Sequence, residues 1–281
     1  MRNTLAFWIH EWDPFLIQFT ENFGIRYYGL AYLAGFGVAA LLFRLYWKYQ
    51  KTPINPEIQG DFIFAAILGV ILGGRIGFFI FYEPGTLLHE PAALFRVWAG
   101  GMSSHGGFIG VFLGILWVCR KRRVSLLHAG DILVSLAPAG LFFGRLANFI
   151  NGELWGKVSL VRWAVIFPDS APRLPPSEVP PRHPSQLYEA ALEGLIPLIY
   201  TQWRIWKTPV LAKQPGRLAG EFLLLYAIGR IIAEQFREPD AGISLLWGLS
   251  RGSLLSVFIA LAGIVVIVYS IHHSRKTRPG R

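Results

Sequence analysis

Long apolar stretches constrain this chain more than any other feature of its sequence. Seven segments of mostly apolar residues follow one another along 281 residues, and a helix needs roughly 20 such residues to cross the hydrocarbon core of a bilayer. Only 16% of the residues are charged, whereas an average soluble domain has about 25%. The sequence therefore predicts an all-α integral membrane protein, a single membrane-embedded domain over 1–281 with about seven transmembrane helices. The predicted spans are 27–46, 61–82, 105–119, 131–150, 187–203, 218–236 and 252–271.

The basic residues predict how these helices are oriented. Fifteen of the 27 Lys and Arg residues fall in one set of connections, nine are spread over longer segments of the other set, and three lie inside spans. Because cytoplasmic connections are enriched in Lys and Arg, we expect the amino terminus outside and the carboxyl terminus in the cytoplasm. Two long connections, near 83–104 and 151–186, then lie on the outer face, where we expect the functional site. The basic residues form no continuous stripe, so the net charge of +10 does not indicate nucleic-acid binding.

Three arginines lie inside predicted spans, each in a Gly-Arg-Ile or Gly-Arg-Leu tripeptide: Arg75, Arg145 and Arg230. An arginine at a helix centre costs about 2.5–3.5 kcal/mol on the insertion scale, so each needs a reason. Similar distances from the predicted helix starts place the three in one layer of the outer half of the membrane. Either a phospholipid phosphate, which arginine binds bidentately, or structural carboxylates must separate these charges. Glu234, one helical turn beyond Arg230, is a candidate for such a carboxylate.

The end of the fourth span is unusually polar. Residues 144–156 read GRLANFINGELWG. On a helix, Arg145 and Asn148 share a face, and Asn151-Gly152 is typical of a helix end. Polar residues in a spanning helix indicate a functional site unless another role explains them.

This segment resembles the signature of the prolipoprotein diacylglyceryl transferases. Five further blocks occur in the order that this family has them: YYGL at 27–30, LGGRIG at 72–77, GGMSSHGG at 100–107, RHPSQLYE at 182–189 and RIIAEQFREPD at 230–240. The resemblance implies a multi-pass enzyme of the bacterial cytoplasmic (inner) membrane, with its active site toward the periplasmic face. Such enzymes transfer the diacylglyceryl group of phosphatidylglycerol to the lipobox cysteine of a prolipoprotein, forming a thioether and releasing glycerol phosphate. No metal-binding constellation or phosphate-cradling loop appears in the sequence, so we expect neither a cofactor nor a metal.

The same resemblance identifies candidate site residues. Those implied directly are Tyr28, His105, Arg145, Asn148, Glu153, Gly156, Arg230 and Glu234. Arg145 and Arg230 suit a phosphate, and Arg75 is a further candidate ligand. His105 is the best-placed base because the pKa of imidazole lies near the working pH.

Several of these roles have alternatives. His105 could instead make a hydrogen bond at a helix start, and Tyr28 could be an aromatic residue of the membrane interface. Glu153 could orient Arg145 or act as the base itself. The lone Cys119 lies beside four cytoplasmic basic residues, so we expect the reactive sulfur to come from the partner protein.

A membrane transporter of an anionic lipid or solute is the alternative function. Transporters place their polar groups near mid-membrane, between paired halves with interrupted helices. Here the polar groups cluster in the predicted outer half, which favours an enzyme.

Overall fold

The structure of the chain, a computed structural model, describes residues 7–20, 23–96, 101–239 and 250–276. The described residues fall into two compact units. One is formed within 1–43 and 130–281, and the other within 44–129. The assignment of one transferase domain to 1–281 stays a prediction.

Helices dominate the described residues, which confirms the all-α membrane class. Long helices occur at each of the predicted spans, although their ends differ by a few residues. In chain order the helices are α1 (Tyr27–Lys48), α2 (Pro56–Phe81), α3 (Pro84–His89), α4 (Ser104–Arg122), α5 (Leu126–Ile150), α6 (Ser185–Glu189), α7 (Ile196–Lys207), α8 (Val210–Lys213), α9 (Arg217–Glu234) and α10 (Arg251–Lys276). Four of them, α1, α2, α5 and α10, are long and apolar enough to cross a membrane within the described ranges. The count of seven crossings and the orientation stay predictions.

The fifth predicted span is one continuous helical segment with a wide turn inside it. α6 continues through a π-helical turn, Ala190–Leu195, directly into α7. Turns of this kind are rare and often occur at functional sites. Glu189 directly precedes this turn and Glu193 lies within it.

Short strands flank the first helix and the long connection. β1 (Trp8–Ile9) pairs in parallel with β4 (Val165–Ile166), and β2 (Phe15–Thr20) pairs antiparallel to β3 (Phe23–Arg26), which leads into α1. Between α5 and α6 the chain forms only β4 and one 3₁₀ turn, Pro168–Ser170. The prolines of this connection predict such a structure.

In the unit within 44–129, glycines bring α2 and α4 together. A Cβ atom added at Gly69 would lie 2.6 Å from the carbonyl oxygen of Gly110, and one at Gly77 would lie 2.7 Å from Cα of Gly106. No side chain fits at such distances, so the two backbones touch directly, as small residues allow in membranes. These glycines therefore have a packing role.

In the other unit, a buried carboxylate fixes the start of α9. Asp131 of α5 is completely buried and accepts hydrogen bonds from the backbone N–H groups of Gly216 and Ala219, both at 2.7 Å. These N–H groups have no partner inside their own helix, because helix starts leave their first donors unsatisfied. Asp131 therefore ties α5 to α9, the two helices that carry Arg145 and Arg230.

Candidate active site

Two of the predicted arginines meet at a pair of buried glutamates. Nη1 of Arg145 lies 2.9 Å from Oε2 of Glu189, and its Nη2 lies 3.3 Å from Oε2 of Glu193. Nη1 of Arg230 lies 3.2 Å from Oε1 of each of the same two glutamates. The guanidiniums therefore converge, as predicted, and carboxylates lie between them.

Two more side chains complete this cluster. Nη2 of Arg230 lies 2.8 Å from Glu234, one turn further along α9, and Nη1 of Arg237 lies 3.1 Å from Oε1 of Glu189. The pairing of Arg230 with Glu234 was expected from their spacing. Hereafter the arginine–glutamate network means Arg145, Arg230 and Arg237 with Glu189, Glu193 and Glu234. Its three positive charges equal its three negative charges.

The side chains of the network differ in their access to the surface. Glu189 and Glu193 are completely buried, whereas 19% of the Arg145 side chain and 14% of the Arg230 side chain are exposed. Buried charges of this kind persist only when they are paired. The carboxylates therefore hold the guanidiniums on their buried side. The exposed part of each arginine side chain is accessible to an anion.

Sequence reasoning missed the role of Glu189, Glu193 and Arg237. The signal was present: two glutamates four residues apart share one helix face in a segment that is otherwise apolar. Such residues inside a membrane helix pair with opposite charges. Because Arg145 is far from both glutamates in the sequence, the sequence alone did not identify it as their partner.

The turn that follows α5 places the next two candidates side by side. Gly152 has φ of +65°, which ends the helix where Asn151-Gly152 predicted it. The chain then folds back, so the Asn148 amide donates a 2.7 Å hydrogen bond to Oε1 of Glu153. The Gln186 amide holds the turn from the other side by donating to the Glu153 carbonyl oxygen at 2.6 Å. Glu153 thus orients Asn148, whereas Arg145 is oriented by Glu189 and Glu193.

Gly156 lies where three chain segments cross. A Cβ atom there would lie 2.5 Å from the carbonyl oxygen of Phe236 and 2.7 Å from Cβ of His183. The Gly156 N–H donates to the His183 carbonyl oxygen, and Arg182 donates to the Gly156 carbonyl oxygen. Only glycine fits here, so the structure favours a packing role for this residue.

His183 belongs to a polar and aromatic cluster rather than to the network. Its Nδ1 lies 3.1 Å from the Tyr188 hydroxyl, and its ring packs on Phe236. Burial lowers the pKa of His183, helped by the positive charge of Lys157, so the imidazole is neutral at neutral pH.

Tyr28 lies near the polar turn. Its hydroxyl is 3.2 Å from that of Tyr32 on the same helix, and it also interacts with the side chains of Asn148 and Glu153. The first turn of α1 therefore contributes to this site, together with the end of α5.

Arg75 belongs to the other unit and has a different environment. It is buried, its donors reach the backbone carbonyl oxygens of Ala93, Leu94 and Gly101, and its guanidinium lies 4.8 Å from the centre of the Phe79 ring. These contacts tie α2 to the connection between α3 and α4. The structure favours a positioning role for Arg75, and a phosphate contact by this residue stays a prediction.

His105 and Cys119 lie at opposite ends of α4. Ser103, not His105, supplies the helix-start hydrogen bond by accepting from Gly106 N–H at 3.2 Å. His105 is exposed and has no hydrogen-bond partner among the described residues. Cys119 is buried, as a structural cysteine would be. Over the described residues, no group of three His, Cys, Asp or Glu side chains could hold a metal ion.

Comparison with known proteins agrees with the resemblance seen in the sequence. The family model of prolipoprotein diacylglyceryl transferase matches residues 14–269. Similar proteins named phosphatidylglycerol–prolipoprotein diacylglyceryl transferase include one from Zymomonas mobilis, 44% identical over 95% of this chain and 90% of the relative. Another, from Rhodospirillum rubrum, is 43% identical over 95% of this chain and 94% of the relative. A third, from Rhizobium meliloti, is 44% identical over 92% of this chain and 91% of the relative.

Proposed function

Because this chain belongs to the prolipoprotein diacylglyceryl transferase family, we propose that its arginine–glutamate network binds the phosphate of phosphatidylglycerol during transfer to a lipobox cysteine. The chain is a membrane transferase that moves the diacylglyceryl group of phosphatidylglycerol onto prolipoproteins, and its relatives do not favour a transporter. One observation carries the proposal for the site: Arg145 and Arg230 converge on Glu189 and Glu193 and keep part of their guanidiniums exposed.

The reaction sets two chemical requirements. The cysteine sulfur attacks a glyceryl carbon, the carbon–oxygen bond to phosphate breaks, and the thiol proton passes to a base. The products are a thioether and glycerol phosphate. A free thiol has a pKa of about 8.5, so only a small fraction is ionised at neutral pH and a base or a cationic field must assist. The phosphate that leaves must be stabilised by positive charge already in position.

The network meets the second requirement. Arg145 is held at both of its terminal nitrogens by buried carboxylates, so its guanidinium plane is fixed before substrate arrives. Preorganised donors of this kind stabilise developing charge without reorganisation. Asn148, fixed by Glu153, adds a polar side chain close to the same helix end. We assign Arg145, Arg230 and Asn148 to the phosphate and glycerol of the lipid.

The first requirement leaves two candidates for the base. His105 is exposed and free of the helix-start role, which supports a part in proton transfer. Glu153 already accepts a hydrogen bond from Asn148, which supports a positioning role for its carboxylate. We therefore assign the base to His105 and propose positioning roles for Tyr28, Glu153 and Glu234.

Localisation follows from the same proposal. A lipobox cysteine reaches this enzyme on the outer side of the cytoplasmic (inner) membrane, where charge bias puts the connections 83–104 and 151–186. The direct test is incubation of the purified protein with phosphatidylglycerol and a lipobox peptide, followed by mass spectrometry. The peptide should gain one diacylglyceryl group on its cysteine. A peptide with serine in place of that cysteine is the matched control, and its modification would contradict the proposal.

A further inference from the structure

A second basic site lies at the opposite end of α9 from the network. The start of α9 and the last turns of α10 enclose a cavity of about 250 Å³, which is lined by Gln214, Arg217, Ile271, Ser274 and Arg275. Arg230 follows Arg217 by thirteen residues, which separates the two sites by about 20 Å along the helix. Charge bias predicts that this end faces the cytoplasm.

The close packing of α9 on α10 forms the cavity. A Cβ atom at Gly220 would lie 2.6 Å from both the Gly263 carbonyl oxygen and Cγ1 of Ile267. The two helices therefore touch one turn into α9, and the final residues of α10 extend beyond the point of contact. The cavity lies beyond this contact, between the start of α9 and the end of α10.

The charges that line this cavity are not fully neutralised. Nε of Arg217 lies 2.8 Å from Oε1 of Glu221, but the same carboxylate also receives two hydrogen bonds from Arg204, at 2.8 and 2.9 Å. One negative charge thus serves two arginines. Arg275 makes no ion pair with any residue that the structure describes. Asp131 is engaged by the backbone at the start of α9.

A buried hydroxyl without a partner indicates that the cavity binds a ligand. Ser274 lines the cavity and is only 9% exposed, yet its Oγ has no hydrogen-bond partner among the residues that the structure describes. A buried hydroxyl without a partner costs free energy, so such groups normally bond to protein or to a bound molecule. The cavity has room for a phosphate together with ordered water, each molecule of which takes about 30 Å³.

We propose that this cavity binds the phosphate of an anionic phospholipid in the cytoplasmic leaflet, as a second lipid site that takes no part in transfer. Arg217 and Arg275 supply the positive charge, and the Ser274 hydroxyl donates a hydrogen bond to a phosphate oxygen. Basic pockets between transmembrane helices on the cytoplasmic side suit lipid headgroups. The inference does not depend on the proposed function, because the residues of the two sites are distinct.

The test measures binding of phosphatidic acid to the full-length protein in phosphatidylcholine nanodiscs. Arg275→Gln and Ser274→Leu should each weaken this binding by about tenfold, the effect of losing one charge-assisted hydrogen bond. Lys276→Gln removes the same charge from the next residue, which does not line the cavity, and should leave binding unchanged. An Arg145→Ala background removes lipid held at the network from the measurement.

Three results would overturn the proposal. If Arg275→Gln and Lys276→Gln weaken phosphatidic acid binding equally, the lipid is attracted by the general positive charge of this surface and not by the cavity. If phosphatidylcholine binds as tightly as phosphatidic acid, the site does not require an anionic headgroup. Inorganic phosphate that displaces phosphatidic acid at similar concentration would identify a free anion as the ligand. The melting temperature of each variant without anionic lipid, which should match that of the Arg145→Ala protein in which it is made, excludes unfolding as the cause.

Discussion

Arg145 and Glu189 form an ion pair of 2.9 Å in which the carboxylate is completely buried and the guanidinium remains 19% exposed. The same carboxylate also contacts Arg230 and Arg237. A single glutamate thus joins three cations from two other parts of the chain. Glu189 therefore lies at the centre of the arginine–glutamate network, and the arginines form the part of the network that is partly exposed.

Replacement of Glu189 by glutamine should therefore be more damaging than the same change at Glu193. Glutamine keeps an oxygen acceptor but brings an amide donor against guanidiniums, and Glu189 contacts three of these whereas Glu193 contacts two. Removing one partner of a buried pair costs about 3–5 kcal/mol, so the melting temperature should fall. Glu178→Gln, in the exposed part of the long connection, is the matched control. Equal melting temperatures for Glu189→Gln and Glu178→Gln would contradict a central position for Glu189.

Variants of Arg230 can separate its contribution to stability from its contribution to substrate binding. Arg230→Ala leaves the network with an unpaired negative charge, whereas Arg230→Ala combined with Glu234→Ala restores the balance of two positive and two negative charges. We expect the double variant to regain much of the stability that the single variant loses, since an unpaired buried charge is the main cost. Transfer activity should not return, because the phosphate ligand is still missing. Recovery of both quantities would show that Arg230 has only a structural role.

The proton acceptor can be identified with two variants, each of which removes one candidate base. If His105 is the base, His105→Asn should lower turnover by about 10²–10⁴-fold. Glu153→Gln can still accept a hydrogen bond from Asn148, so it should lose much less activity. A larger loss of turnover in Glu153→Gln than in His105→Asn, at equal melting temperatures, would reverse this assignment.

The orientation can be tested with introduced cysteines. Cys119→Ala should retain transfer activity, because the reactive sulfur belongs to the prolipoprotein, and it provides a background without thiols. In that background Ser177→Cys should react with an impermeant reagent from the outside, and Lys276→Cys only after the membrane is opened. Both positions are exposed in the structure. Labelling of both from one side would contradict the predicted seven crossings.

The sequence predicted the helices more completely than the site. Apolar length determines where helices form, so each predicted span contains a helix, and Asn151-Gly152 marks the end of α5 correctly. The pairing of Arg230 with Glu234 is local and follows from one helical turn. Glu189 and Glu193 were not assigned as the partners of Arg145, because that pairing depends on how α5, α6 and α9 pack. The common environment expected for three arginines was observed for two, since Arg75 finds its partners in the backbone of the connection after α3.

The most direct test of the central claim is turnover of Arg145→Lys with phosphatidylglycerol and a lipobox peptide, measured by mass spectrometry. Lysine keeps the positive charge but loses the planar, two-point contact with phosphate. A charge-assisted hydrogen bond is worth about 1.5–3 kcal/mol, so turnover should fall by about tenfold to a hundredfold, and Arg145→Ala should be lower still. If Arg145→Lys binds phosphatidylglycerol and turns over like the parent protein, Arg145 does not hold the phosphate and the account of the site is wrong.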